Sequence, residues 1–220
     1  MNLSPLWISI KTATTATIIT FFLGIAMAWW IAGYRGRLHG IIDSILTLPM
    51  VLPPTVVGFF LLLLFGKNSF IGGLLDVLGT QVIFTWSASV LAATVVSFPL
   101  MYKTARSSFE QIDENLMYAA RTLGASHWKI FWEVAVPLAW SGIIAGAVLS
   151  FARSLGEFGA TLMVAGSILG RTQTIPVAIY FASQSGNMDL AFKWVIIICV
   201  ISLVVMNLMN FWNTLQSRKY

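Results

Sequence analysis

The chain has 220 residues, 58% of them hydrophobic and only 10% charged, far below the roughly 25% charged residues of a soluble domain. With a mean hydropathy of +0.84 and apolar runs near the ~18–20 residues that a bilayer crossing needs, it reads as an all-α polytopic membrane protein; continuous runs exclude a barrel, whose strands alternate in segments of ~10 residues. The net charge of +5 lies beside those apolar runs, so it reports membrane topology and not a nucleic-acid partner.

Five transmembrane helices are expected. The first covers Leu6–Ala32; it has no basic n-region and exceeds the length of a signal-peptide core, so it is expected to stay as an anchor. The hydroxyls of its Thr12, Thr14, Thr15, Thr17 and Thr20 can bond back to the helix or across an interface; they are expected to join helices first and to contact substrate second. The second, Ile45–Phe65, opens with Pro49, Pro53 and Pro54, which remove backbone donors and force an irregular start. Irregular backbone at membrane depth is tolerated only inside protein or beside water, so Pro53 and Pro54 are candidates for a translocation path; a packing kink is the equal alternative. The third covers Phe84–Tyr102, the fourth runs from Pro137 to about Val164, and the fifth covers Phe192–Phe211. Ile175–Ala182 is too short to cross and reads as an external or re-entrant helix entered through Ile175-Pro176. Residues 1–220 form one transmembrane domain without an internal repeat.

Basic residues set the orientation. Arg35, Arg37, Lys103, Arg106, Arg121, Lys129, Arg218 and Lys219 fall on one face of a five-span chain, against Lys11, Lys67, Arg171 and Lys193 on the other. The N-terminus is expected outside and the C-terminus in the cytoplasm, as is the polar stretch of about 107–136.

Within that stretch, Asp113-Glu114 suits a helix N-terminus. Ala119, Ala120 and Leu123 make one flat side, and Gly124 lets the helix stop. A second short helix is expected over Ser126–Val134, carrying Trp128, Ile130, Phe131 and Trp132. From the residues alone, this is either a docking surface for another protein or a hairpin lying on headgroups with its tryptophans as an interfacial belt.

A second cluster is Arg153-Ser154-Leu155-Gly156-Glu157-Phe158-Gly159. Counted from Pro137, Arg153 lies ~24 Å along its helix. Ionisable groups at depth cost ~2.5–3.5 kcal/mol on insertion scales and so face protein or a wet cavity. Arg153 and Glu157, four residues apart, can pair on one face. Arg153, Ser154, Glu157 and Phe158 are therefore candidates for a path or gate; the alternative is a structural pair locking two helices, with Gly156 and Gly159 permitting close approach.

The absences are informative too. Cys199 sits alone in an apolar run, and His39 and His127 are isolated, so no metal site is expected. Gly66-Lys67 lacks the spacing of a phosphate-binding loop, and no metalloprotease helix or nucleophile elbow is present. No series of buried carboxylates suggests a proton relay. The chain is expected not to be an enzyme by itself; uphill transport would draw its energy from another polypeptide.

The stretch Ala119-Ala120-Arg121-Thr122-Leu123-Gly124-Ala125, with Pro137 beyond it, resembles the signature loop of ABC-importer permeases. Leu48–Gly58 (LPMVLPPTVVG), Ser97–Met101 (SFPLM), Phe151–Ala160 (FARSLGEFGA) and Thr174–Tyr180 (TIPVAIY) extend the resemblance over nearly the whole chain, and the last two are similar to the molybdate branch. Tyr118 stands where the family usually carries Glu, and Val134 and Val136 occupy its later apolar positions. The resemblance implies a type I ABC-importer permease fold in a bacterial inner membrane, working as a homodimer around one path. It implies two cytoplasmic ATPase subunits docked at Tyr118, Ala119, Ala120, Arg121, Leu123, Gly124 and Ala125, and an extracellular or periplasmic molybdate-binding protein. No cofactor is expected on this chain; ATP and Mg2+ would sit on the ATPase. Molybdate is the expected substrate, with tungstate or sulfate as alternatives and a stand-alone secondary carrier as a different class. The path is expected to be weakly polar, with selectivity set mainly by the external receptor.

Overall fold

A computed structural model describes residues 2–217, with side chains described as far as Asn207. Arg218 and Lys219, used above for topology, lie outside the described residues. Four segments are helical, long and apolar enough to cross a bilayer. They are α1 (Ser4–Gly33), α5 (Trp86–Glu110), the stretch His127–Leu155, and α11 (Met188–Ser217, apolar over Met188–Asn207). At 1.5 Å per residue α1 is about 45 Å long.

The second expected crossing is a bent pair. Helix α2 (His39–Val51) and helix α3 (Pro54–Phe65) meet at 112°. Leu52 and Pro53 between them are extended, with ψ of 142° and 136°. Neither Pro53 nor Pro54 has an N–H to donate, and Pro54 instead opens α3, where a missing donor costs nothing. Pro49 is carried inside α2, so the irregularity falls later than the first proline and the helix begins earlier than Ile45. Counting the bent pair as one gives up to five spans.

The fourth run also departs from expectation at both ends. The short helix ahead of it does not stop before Pro137: α7 (His127–Ile130) passes through a π-helical turn (Phe131–Ala135) into α8 (Val136–Leu155). The wide turn lies immediately before Pro137, whose ring and missing N–H interrupt the normal ladder there. At the far end the helix breaks at Gly156 and does not continue to Val164; a separate α9 covers Gly159–Ala165. The third crossing runs eight residues beyond Tyr102, to Glu110. Helices α4 (Phe70–Val77), α6 (Glu114–Thr122) and α10 (Ile175–Gln184) complete the chain, α10 entering through Pro176 as expected.

The C-terminal half of α5 is the centre of one core. Met101, Tyr102, Ala105 and Phe109 pack against Ala28 and Ile31 of α1, Phe131 and Ala135 of the π turn, and Ala139 and Ile143 of α8. The N-terminal half of α5 builds another, in which Ala88, Ala92 and Val96 meet Val57 and Leu61 of α3 and Ala160, Val164 and Ala165 of α9. Small residues set the spacing: a Cβ on Gly24 would lie 2.6 Å from Met101 Cγ, so α1 approaches α5 more closely than any side chain would allow. Around Ile175, Ala178 and Trp194 a third cluster joins α10 to α11. The buried Ser9 hydroxyl accepts the Ile175 N–H at 2.7 Å, tying α10 to α1, and Thr12 accepts from Trp86 Nε1 at 2.9 Å. Two of the first-span threonines, Thr17 and Thr20, bond back to their own helix. Helix α2 has no buried residue.

Candidate functional site

The two breaks in the long helices meet. A Cβ on Gly159, the first residue of α9, would lie 3.1 Å from Pro54 Cβ and 3.2 Å from the Thr55 nitrogen. One turn on, a Cβ on Gly58 would lie 2.8 Å from Ala160 Cα. The proline motif and the Arg-Ser-Leu-Gly-Glu-Phe-Gly motif, about a hundred positions apart in sequence, are thus one junction held by two glycines.

Within that junction Arg153 Nη1 lies 2.7 Å from Glu157 Oε2, and the Glu157 side chain is only 2% exposed against 32% for Arg153. The other carboxylate oxygen, Oε1, accepts the Ala160 N–H at 2.9 Å and so caps α9. The Arg153 guanidinium lies beside this buried carboxylate as its ion-pair partner, while Oε2 itself makes no hydrogen bond among the described residues. Ser154 is also buried. Phe158 is half-buried with its ring 5.2 Å from that of Tyr180. Pro54 is half-buried and Pro53 is exposed. The structure therefore brings all six candidate path residues to one place. Pro53 and Arg153 open to the surface, whereas Ser154 and Glu157 face the interior of the chain, and Glu157 has the contacts of a structural pair and cap.

The other candidate region projects between α5 and α8. Asp113 accepts the Asn115 N–H at 2.9 Å and starts α6. Gly124 ends the helix with φ of +80°, a conformation that suits glycine, and Ala125 N–H returns to Ala120 O at 3.1 Å. The Ser126 hydroxyl accepts from Lys129 N and starts α7. No residue of α6 is buried, and Leu123 at the tip is 88% exposed.

The elbow has two faces. Ala120, Leu123, Gly124 and Ala125 border a notch of about 290 Å³ with Lys129, Ile130, Glu133 and Val134. Tyr118 and Arg121, with Glu114 and Met117, turn instead toward the end of α1. There Glu114 Oε1 accepts from Arg35 at 2.6 Å, and Glu114 Oε2 accepts from the Tyr118 hydroxyl at 3.2 Å. Ala119 is exposed and borders neither cavity.

A third cluster escaped the sequence reading. Asp43 of α2 accepts from the Tyr102 hydroxyl at 2.8 Å and from Arg106, and Arg106 also donates to Glu110 at 2.7 Å. Asp43 is the one acidic residue between Leu38 and Leu75, a signal that was visible; its partner 63 positions on was not. Among the described residues no group of three or more His, Cys, Asp or Glu is placed to hold a metal.

The family described as "Binding-protein-dependent transport system inner membrane component" matches residues 20–220. A Bacillus subtilis protein named as a molybdenum transport system permease, YvgM, is 48% identical over 92% of this chain and 90% of its own length. The molybdenum transport system permease protein ModB of Escherichia coli K12 is 41% identical over 96% of this chain and 93% of its own. Among solved structures, a bacterial alginate ABC transporter in complex with its alginate-loaded periplasmic protein superposes with a TM-score of 0.77 at 16% identity. That match covers 95% of this chain and 77% of the transporter chain. The inward-facing MetNI methionine ABC transporter gives 0.73 at 15% identity, covering 94% and 91%.

Proposed function

The chain belongs to the family of binding-protein-dependent transport system inner membrane components, and from that premise we propose that it is the permease subunit of an ATP-driven molybdate importer. It is a multi-pass inner-membrane protein with the type I ABC-importer fold, and the ATP-hydrolysing subunit is a separate polypeptide. The finer reading is five spans with the N-terminus outside and the C-terminus cytoplasmic, a homodimer around one path, two cytoplasmic ATPases carrying ATP and Mg2+, and an external molybdate-binding protein.

One observation carries this reading. The elbow of α6 and α7 offers an exposed notch at one end of an unbroken helical rod, His127–Leu155, 29 residues and about 43 Å long. The far end of that rod is the Gly156 break, where α9 meets α3. An ATPase gripping Ala119, Ala120, Leu123, Gly124 and Ala125 would push one end of a rigid lever, and the junction of the two bent helices would be displaced at the other. Pro53, Pro54, Arg153 and Phe158 would then border the path, while Ser154 and Glu157 hold its wall from behind. One partly exposed arginine, offset by Glu157, gives a dianion passage without a deep binding well. That suits a path whose cargo must also leave.

The relatives named for molybdenum transport support molybdate over sulfate; tungstate, a close mimic, is separated only by competition. In a strain lacking its own system, Gly124→Trp fills the notch with a bulky side chain, and radiolabelled molybdate uptake is expected to fall at least tenfold at unchanged membrane levels of the protein. Unchanged uptake would overturn the coupling role. Uptake by the chain alone in liposomes on an ion gradient would instead establish a secondary carrier.

A further inference from the structure

We propose that the cleft between the end of α1 and α6 is a binding site for the headgroup of an anionic phospholipid of the cytoplasmic leaflet. The cleft has a volume of about 470 Å³, with Trp29, Trp30, Arg35, Tyr118, Arg121 and His127 among its lining residues. It lies where α1 ends, so its tryptophans stand at the level where indoles favour the membrane–water boundary. Trp30 is 49% exposed with Tyr34 against it, an apolar platform beside the cations.

Arg35 and Arg121 line the same cleft as Trp30, and neither holds a buried ion pair among the described residues. Arg121 has no carboxylate within ion-pair distance among the described residues; its nearest feature is the Tyr118 ring at 5.9 Å. Among the described residues Arg35 pairs with Glu114 alone, and both side chains are largely exposed, at 78% and 64%, so solvent screens the pair. A phosphodiester can take both guanidinium forks in the planar, bidentate manner these groups favour, displacing Glu114, which keeps the Tyr118 hydroxyl. Basic pockets beside span ends on the cytoplasmic side suit anionic headgroups. The occupant is a lipid and not the ATPase because the notch of Ala120, Leu123 and Gly124 lies on the other face of α6, whereas this cleft is floored by the end of a membrane span.

The inference rests on the cytoplasmic placement of α6 proposed above. A bound headgroup would brace the base of the elbow against α1, so the charge of the leaflet would tune coupling.

The test is native mass spectrometry of the purified dimer equilibrated with equal amounts of phosphatidylglycerol and phosphatidylcholine. Wild type is expected to retain phosphatidylglycerol preferentially. Arg35→Gln with Arg121→Gln is expected to lower that preference roughly 25-fold, at about fivefold per cation, while Arg35→Lys with Arg121→Lys, which keeps both charges and loses the planar forks, falls between that pair and wild type. Equal retention by wild type and the glutamine pair would overturn the proposal, as would loss of the bound lipid on adding the ATPase subunit. Displacement by soluble glycerol phosphate at the same affinity would show a free-anion site and would overturn the lipid assignment. Labelling of a thiol at Ser126 with an impermeant reagent separates the two readings. External labelling sinks the cytoplasmic placement whatever the lipid result, and internal labelling with no lipid preference sinks this inference alone.

Discussion

Gly58 is where α3 leans on α9, and replacing it with alanine tests whether the two broken helices are truly one unit. The added Cβ would sit 2.8 Å from Ala160 Cα and 2.8 Å from Met163 Cβ. Carbon atoms at rest lie about 3.5–4.0 Å apart, so the overlap is most of an ångström. Met163 Cβ and Ala160 Cα are both fixed to backbone, so no rotamer change relieves the clash; α3 must move away from α9. Overpacking of this kind costs about 1–3 kcal/mol, less roughly 0.5–1 kcal/mol gained from replacing a helical glycine, which leaves about 0.5–2 kcal/mol. At about 2–4 °C per kcal/mol for a chain of this size, the midpoint of thermal unfolding in detergent should fall by roughly 1–8 °C. Gly73→Ala is the control, since a Cβ there meets nothing within 4 Å, and it should melt at or above the wild-type temperature. Because the shift opens the junction beside Pro54 and Arg153, molybdate uptake per molecule should fall as well. Equal midpoints for Gly58→Ala and wild type would refute the contact between the breaks, and with it the lever that ends there.

Two further substitutions probe the polar ties. Asp43→Ala removes the acceptor of the buried Tyr102 and one of two carboxylates on Arg106; with Asp43 itself 29% exposed, a loss of about 1–2 kcal/mol is expected. Asp43→Asn, which keeps an oxygen for Tyr102, should lose less, and equal melting of Asp43→Ala and wild type would deny that the cluster holds α2. Glu157→Ala removes both the Arg153 partner and the cap on Ala160 N, and it should cost about 3 kcal/mol. Glu157→Gln retains an oxygen for the cap and should be milder; the reverse order in thermal midpoints would contradict the capping role.

The sequence was most informative where one residue type imposes a local geometry. Pro53-Pro54 announced a break because neither residue can donate, and Gly124 announced a stop because its φ of +80° suits glycine. Pro176 opened α10 for the same local reason. What the sequence could not reveal was where the continuous apolar runs divide. The hydropathy of Val136–Val164 dips at Arg153 and Glu157, but a dip alone does not mark Gly156 as the end of a helix. That break is fixed by Glu157 turning back onto Ala160 N and by α3 filling the space beside Gly159. Similarly, Pro137 looked like the start of a span, yet the π turn before it lets the helix continue from His127.

The resemblance implies seven elbow residues at the ATPase contact, and the two faces of the elbow share six of them. On a helix of nine residues, positions 114, 117, 118 and 121 share one side and positions 120 and 123 another. The first of these sides borders the cleft at the end of α1. Tyr118 at the usual glutamate position is therefore not an empty substitution. Its hydroxyl holds Glu114 one turn earlier, and Glu114 in turn reaches Arg35 at the exit of α1. A carboxylate thus remains at this end of the elbow, displaced by a turn and tied to the first span. The notch on the opposite face has no such tie to α1 among the described residues, which is why the proposed ATPase contact is placed there. For the proposed lever the Arg35–Glu114 pair is too exposed to brace α6 alone, so a push on this nine-residue helix would tilt it on the Gly124 turn unless a further contact, such as the headgroup proposed above, ties it to α1.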